Sequence, residues 1–507
     1  MRPPHACFAV ICASALAMSV SSCQKQPASS AAAPAAPGVP AVSVGAARLP
    51  APIPAPDPVS AAAPSPTTAP LAGVAAPAGI SRINHLIVIY QENWSFDGLY
   101  SQFKGANGVA AESEVVQRDD QGRELPQLPQ PVDASGAPDG RFPSALPVHF
   151  YNLLKYVPPH QLTGDLIHAF FTEQAQIHGG ANDAFCWYSS NPGLVTGFYD
   201  ASLLPEGQLA ADYVMCDNCF HSAFGGSFLN HQFLISAAVP AWPSDDPAPV
   251  AWRSVESSDR RLLRDRPLTP DGRWIVNTVQ TCNLPHGRGV VIPALFANPT
   301  IGDRLSAAHV SWAWYAGGWN TALATGATYS EPDDFQPHHQ PFNYYAAFDQ
   351  ATAAGQANRK LHLQDETDFL AALAGDASEL PAVCFIKPAG CDNEHPGYSV
   401  LARGQRHVAD LVAAVQQSPS WKDCMIVITY DEHGGRWDHV APPVIDRWGP
   451  GVRVPMIVVS PFAKRQVVDH TRYETVSILR FIEDRWHLSA LGTRDAQADG
   501  LSQVLAP

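Results

Sequence analysis

Met425-Ile426-Val427-Ile428-Thr429-Tyr430 runs without a break into Asp431-Glu432-His433-Gly434-Gly435-Arg436-Trp437-Asp438-His439. The first six residues are apolar, β-branched or aromatic, and they do not alternate with polar ones. That pattern predicts a strand buried on both faces, as in a parallel sheet covered by helices. The run then stops at a segment with three carboxylates, a glycine pair and two imidazoles. Open α/β sheets place their chemistry just past the carboxyl ends of their strands. The same design recurs elsewhere. His85–Tyr90 is a continuous apolar run that enters Gln91-Glu92-Asn93-Trp94-Ser95-Phe96-Asp97. Val310–Tyr315 and Pro381–Ile386 read as further strands, the latter ending near Asn393-Glu394-His395-Pro396. Pro455–Ser460 is another. Helical spacing links them: Val408, Leu411, Val412 and Val415 share one face. Thr471-x-x-Glu474 reads as a capping box opening a final helix with Val476, Leu479, Ile482 and Trp486 inward. Strands alternating with helices predict an α/β fold: a central, largely parallel sheet flanked by helices, with loop insertions.

Cys216-Asp217-Asn218-Cys219-Phe220-His221-Ser222-Ala223-Phe224-Gly225-Gly226-Ser227-Phe228-Leu229-Asn230-His231-Gln232-Phe233 carries a hydroxyl into a turn-then-helix segment. Gly225-Gly226 permits a sharp turn and close approach to a ligand. Ser227 then falls in the first helical turn, where backbone N–H groups attract anions. Asn230 lies three residues on, on the same face. The plainer reading is a helix for which Ser227 is only the N-cap. Asp165–Gln174 reads as a helix start with His168 in its first turns, and Pro337-His338-His339-Gln340-Pro341 as a stiff loop holding paired imidazoles. Three strand ends thus carry Glu92-Asn93, Glu394-His395 and Asp431-Glu432, and parallel strands bring such ends to one edge. Carboxylates with an amide oxygen suit a divalent cation. A cation beside a serine hydroxyl favours the alkoxide and neutralises a transferring phosphoryl group.

The chain has 507 residues, 46% hydrophobic, with a formal net charge of −15 and 19 histidines. An acidic balance without a basic stripe argues against nucleic-acid binding. Residues 1–23 read as a lipoprotein-type signal. Ala6–Val20 is apolar, and Val20-Ser21-Ser22-Cys23 ends it with a lipidation-type cysteine; an ordinary secretory signal is the alternative. Gln24 after Cys23 favours the outer membrane. Export follows on either reading, with a lipid anchor at the outer membrane or in the periplasm, or release. Residues 24–79 are Ala-, Pro- and Ser-rich and read as an extended linker. Residues 80–507 then form the globular part, with insertions near 101–160 and 240–300, the second read as an insertion or lid. Export permits disulfides among Cys186, Cys216, Cys219, Cys282, Cys384, Cys391 and Cys424. Cys216-x-x-Cys219 has redox or metal spacing, but scaffold is the favoured reading.

Gln91-Glu92-Asn93-x-Ser95-Phe96-Asp97, Asp217–Asn230 and Thr429-Tyr430-Asp431-Glu432-x-Gly434-Gly435-x-x-Asp438-His439 resemble the bacterial phospholipase C / acid phosphatase phosphoesterase family of the alkaline phosphatase superfamily. The resemblance runs from about residue 81 to 490. It implies an alkaline phosphatase-like sheet and phosphoester hydrolysis through a covalent phospho-enzyme. It also implies a divalent metal held by Glu92, Asn93, Ser227, Asp431 and Glu432, with Ser227 as nucleophile. It gives His168, His338 and His395 catalytic roles, with His338 as leaving-group acid. Asn230 and His339 would bind phosphate, and Asp438 and His439 would support their neighbours. Gly-Gly-Ser227-Phe-Leu-Asn230 resembles the acid phosphatase branch more than the Pro-Thr-x-x-Asn of the lipases, and Trp94 stands where the lipases carry Arg. The expected activity is phosphomonoester hydrolysis, on a phosphorylated small molecule or a phospholipid. The alternatives are a phospholipase C-type phosphodiesterase and a catalytically silent surface lipoprotein that binds phosphorylated ligands.

Overall fold

The computed structural model describes residues 79–241, 272–275, 278–287, 291–292, 295–330, 334–376 and 379–507. The signal (1–23), nearly all of the linker (24–79) and the centre of the 240–300 insertion lie outside the described residues. Among the described residues, no helix is long and apolar enough to cross a membrane.

Eight strands form the central sheet. In chain order they are β1 (His85–Gln91), β2 (Val214–Cys216), β3 (Trp312–Ala316), β4 (Leu363–Asp365), β5 (Val383–Lys387), β6 (Cys424–Tyr430), β7 (Met456–Val459) and β8 (Val467–Asp469). Their spatial order is β8-β2-β7-β6-β1-β5-β3-β4. β1 pairs in parallel with β5 on one side and β6 on the other. Only β7 runs antiparallel to its two neighbours, β6 and β2. All seven residues of β6 are buried, and so are six of the seven in β1, which matches their unbroken apolar sequences.

Helices cover the sheet through the faces expected. In α3 (Leu401–Gln417) the buried residues include Leu401, Val408, Leu411, Val412 and Val415. In α4 (Val476–Trp486) Val476, Leu479 and Ile482 are buried, and this helix packs on α2 (Ser227–Ser236). Segment 101–160 holds short paired strands, such as Leu128–Pro129 with Ala145–Leu146.

Two local expectations fail. The helix after Asp165 begins only at Phe170 (α1, Phe170–Ile177), so His168 stands in an extended segment before it. The amides there are taken by side chains: Leu166 N donates to Asp165 Oδ1 and Ile167 N to Ser190 Oγ. Thr471 and Glu474 do not form a capping box. Tyr473–Glu474 instead pairs with Cys219–Phe220, and α4 opens after Thr475. The Glu474 carboxylate is drawn to Arg494 at 2.7 Å and Ser222 at 3.0 Å.

All seven cysteines among the described residues are free thiols. Burial raises the Cys216 and Cys219 thiols well above their ordinary range, which suits scaffold rather than redox chemistry.

Candidate active site

The register of β1 and β6 builds the centre of the site. Gln91 lies opposite Tyr430, so the next residues, Glu92 and Asp431, leave the sheet side by side. Asp431 N donates to Gln91 O, and Glu92 N to Asn393 O from the loop after β5. Glu92, Asn93, Asp431 and Glu432 are all fully buried. Lys387, the last residue of β5, is buried beside them with its Nζ 2.7 Å from Glu92 Oε1.

The Gly225-Gly226 loop approaches this edge. Gly225 sits at φ +86°, and a Cβ there would fall 2.6 Å from Phe170 N; both the turn and the contact exclude a side chain. Gly226 is the N-cap of α2, and Ser227 is its first residue. Ser227 is therefore not the cap, and its hydroxyl hydrogen-bonds Asp431. The positive end of the helix dipole adds to the attraction of this point for an anion.

Asn230, for which the resemblance implies a phosphate contact, is engaged with the backbone of the loop. Its Oδ1 accepts from Ala223 N at 3.0 Å, and its Nδ2 donates to Ala223 O at 3.0 Å and Gly226 O at 3.3 Å. The side chain is fully buried and occupied in bracing the Gly-Gly loop.

The other expected residues do converge. His168 Nε2 lies 3.3 Å from Asn93 Nδ2 and 3.6 Å from Glu432 Oε1, and its Nδ1 is 2.6 Å from Leu166 O. His168 and His395 pack ring to ring at 5.6 Å. His395 Nε2 is 3.9 Å from Glu92 Oε2. His338 and His339 occupy a short 3-10 turn, Pro337–His339, and both are buried. His339 Nε2 reaches Glu92 Oε1 at 2.7 Å. His231, to which no motif gives a role, donates Nδ1–H to Ser227 O at 2.7 Å and stacks on His339. Its signal was its place four residues past Ser227, on the same helix face. Lys387 directly follows the apolar run Pro381–Ile386, and no motif marks it as a partner of Glu92.

Three carboxylates in one buried cluster perturb one another. Burial would raise Glu92, but Lys387 and His339 outweigh it and hold this carboxyl well below its ordinary value. Burial first, and then the Glu92 charge, push Asp431 up to about 8. Burial and Asp431 raise Glu432 well above the carboxylate range. Burial likewise lowers His338 well below an ordinary histidine, and His339 to about 4.

The donor set fits a cation. Asn93 Oδ1, Asp431 Oδ2 and Glu432 Oε1 are buried without hydrogen-bond partners. Groups able to hold a metal include Glu92 with His231 and Asp431, and Glu92 with His338 and His339. Hard oxygen donors dominate, and a positive ion would relieve the repulsion among them.

Asp438 and His439 stand apart from this cluster. Arg453 bridges Asp438 Oδ1 at 2.9 Å and Asp97 Oδ1 at 3.0 Å, while His439 Nδ1 meets Asp97 Oδ2 at 2.7 Å. This paired network ties the segment after β1 to that after β6.

The phosphoesterase family pattern matches residues 83–489, most of the chain and all of these residues. The chain belongs to the phosphoesterase family. As a member it is a phosphoric ester hydrolase. Phospholipase C B of Mycobacterium tuberculosis is 24% identical over 445 residues, 81% of this chain and 74% of the relative. Non-hemolytic phospholipase C of Pseudomonas aeruginosa is 23% identical over 456 residues, 82% of this chain and 56% of the relative. Non-specific phospholipase C6 of Arabidopsis thaliana is 34% identical over 161 residues, 25% of this chain and 31% of the relative. Among solved structures, an alkaline phosphatase superfamily protein from Vibrio parahaemolyticus aligns with TM-score 0.32 at 8% identity, over 61% of this chain and 65% of that one.

Proposed function

We propose that this phosphoesterase hydrolyses phosphomonoesters through a phosphoserine at Ser227. The observation that carries the reading is the Ser227 hydroxyl: first residue of a helix, hydrogen-bonded to Asp431, at the edge of a buried carboxylate and imidazole cluster. Ser227, His168 and His395 are almost fully buried, at 3%, 6% and 8% exposure.

In the first half-reaction the Ser227 oxygen attacks phosphorus and the bond to the leaving oxygen breaks. Asp431 is placed to draw off the serine proton. His338 supplies a proton to the leaving oxygen; a phosphate dianion beside it offsets the burial that otherwise keeps it neutral. Water then attacks phospho-Ser227 and releases phosphate. Glu92, Asn93, Asp431 and Glu432, with Ser227, would hold a divalent cation, whose charge would favour the alkoxide and neutralise phosphoryl oxygens. His339 and His395 line the phosphate side, and Asn230 keeps the loop in shape.

A phospholipase C-type diesterase is the second reading, favoured by the names of the relatives that span most of the chain. Hydrolysis of 4-nitrophenyl phosphate, bis(4-nitrophenyl) phosphate and phosphatidylcholine, each across pH with and without chelator, separates the two. The proposal expects the monoester to be turned over fastest and chelator to suppress it. Phosphatidylcholine as the preferred substrate would replace it with the second reading. Export and lipidation at Cys23 belong to the same proposal, and they place the enzyme on substrates outside the cytoplasm.

A further inference from the structure

We propose that Glu173, His221, His433 and Glu432 Oε2 form a second metal site, for a divalent transition ion of the zinc class, behind the nucleophile loop. Glu173 (α1), His221 (before the Gly-Gly loop) and His433 (after β6) are all fully buried. One potential ligand atom from each lies within 4.8 Å of the others. His221 Nε2 is 2.8 Å from Glu173 Oε1. His433 Nδ1 is 3.6 Å from Glu173 Oε1 and 3.4 Å from Glu432 Oε2.

A hydrogen-bonded cluster does not account for His433. Neither of its ring nitrogens has a hydrogen-bond partner, although the residue has no exposure. Leaving such a group unpaired is costly. Its contacts with the two carboxylates, at 3.4 and 3.6 Å, do not meet hydrogen-bond geometry, yet they match the edge of a ligand tetrahedron. Bonds of about 2.1 Å from nitrogen and oxygen to one ion place the ligand atoms about 3.4 Å apart. Gly451 supports the same conclusion. A Cβ there would stand 2.1 Å from His221 Nε2 and 2.2 Å from Glu173 Oε1, so glycine keeps that side of the cluster clear.

The chemistry of the donors sets the ion. Two imidazoles and two carboxylates prefer zinc or a neighbouring transition metal over magnesium or calcium. The cluster at Glu92 and Asp431, rich in oxygen donors, differs in this respect. The inferred ion also has a mechanical consequence. Glu173 Oε2 accepts from Gly225 N at 2.7 Å and Oε1 from Val452 N at 3.1 Å. Glu432 Oε1 faces His168 while Oε2 faces His433. An ion here would therefore brace both the loop that presents Ser227 and a carboxylate of the catalytic cluster.

The test is metal stoichiometry of the purified chain, stripped and reloaded with Zn(II) or Co(II), in wild type, His433→Ala and Asp431→Asn. Two bound equivalents in wild type, falling to one in His433→Ala, are expected. With Co(II), the strong visible absorption of a tetrahedral nitrogen-containing site should survive in Asp431→Asn and vanish in His433→Ala. A single equivalent kept in Asp431→Asn but lost in His433→Ala supports this site and removes the metal at the other. A single equivalent unaffected by His433→Ala overturns the proposal. If His433→Ala does not fold, the wild-type Co(II) spectrum decides, and absence of the tetrahedral band overturns it.

Discussion

Lys387 and Asn230 show how the site rests on side chains held by other protein groups. Lys387 is a buried ammonium whose contact with Glu92 offsets the burial of that carboxylate. Removing one partner of a buried pair leaves the other uncompensated, at a cost of about 3–5 kcal/mol. Lys387→Met should therefore lower the unfolding free energy of the metal-free protein by about that much in urea titration. A loss below about 1 kcal/mol would mean that Glu92 takes up a proton instead. For Asn230, replacement by Ala strands Ala223 N and frees the Gly-Gly loop. It should cost about 2–4 kcal/mol of stability and lower kcat with KM nearly unchanged. A raised KM at constant kcat would restore the phosphate-contact role.

Glu92, Asn93, Asp431 and Glu432 were legible in the sequence because each follows an apolar run directly, and register then carries them to one edge. Asn230 was not, because its helical position says nothing of backbone acceptors that fold back beneath it. Glu173, His221 and His433 come from three distant segments, and none is marked by a motif that names its partners.

The elements show where local patterning stops. β1 and β6 were readable because burial on both faces leaves an unbroken apolar run. The reversal of β7 was not, since strand direction depends on the connection and not on composition. Glu474 left its expected cap for Arg494, 20 residues on, and for Ser222, far back in the chain; no local window contains that competition. Helix pairing makes a separate prediction. His407 on α3 bonds Glu366, which starts the helix Glu366–Ala374, at 2.9 Å. Burial opposes protonation there, but Glu366 wins and raises His407 to about 9. Its folded value thus lies above the unfolded one, near 6.5. The pair's stabilisation is present in full below pH ~6.5 and is lost as pH rises through about 9. Its magnitude is on the order of 2 kcal/mol after allowance for partial exposure. Glu366→Gln should be less stable than wild type at pH 6, and the gap should close at pH 10. A gap equal at both pH values would show that the pair is not the source.

At the scale of the whole molecule, fold and reaction class were readable together because the motifs sit at strand ends and recur in chain order. Monoester or diester preference was not, because it depends on the walls around the leaving group, which no local motif specifies. The segment before the catalytic domain makes its own prediction. Cys23→Ser should move the protein from the detergent-extracted membrane fraction to the soluble fraction, and unchanged membrane association would rule out the lipid anchor.

The central claim is the covalent step at Ser227. Enzyme mixed with excess 4-nitrophenyl phosphate and quenched in acid within a turnover, then weighed intact and as peptides, tests it directly. The account predicts one added phosphoryl group, on the peptide containing Ser227, and neither adduct nor turnover in Ser227→Ala. A phosphoryl group on another residue, or sustained turnover by Ser227→Ala, would contradict it.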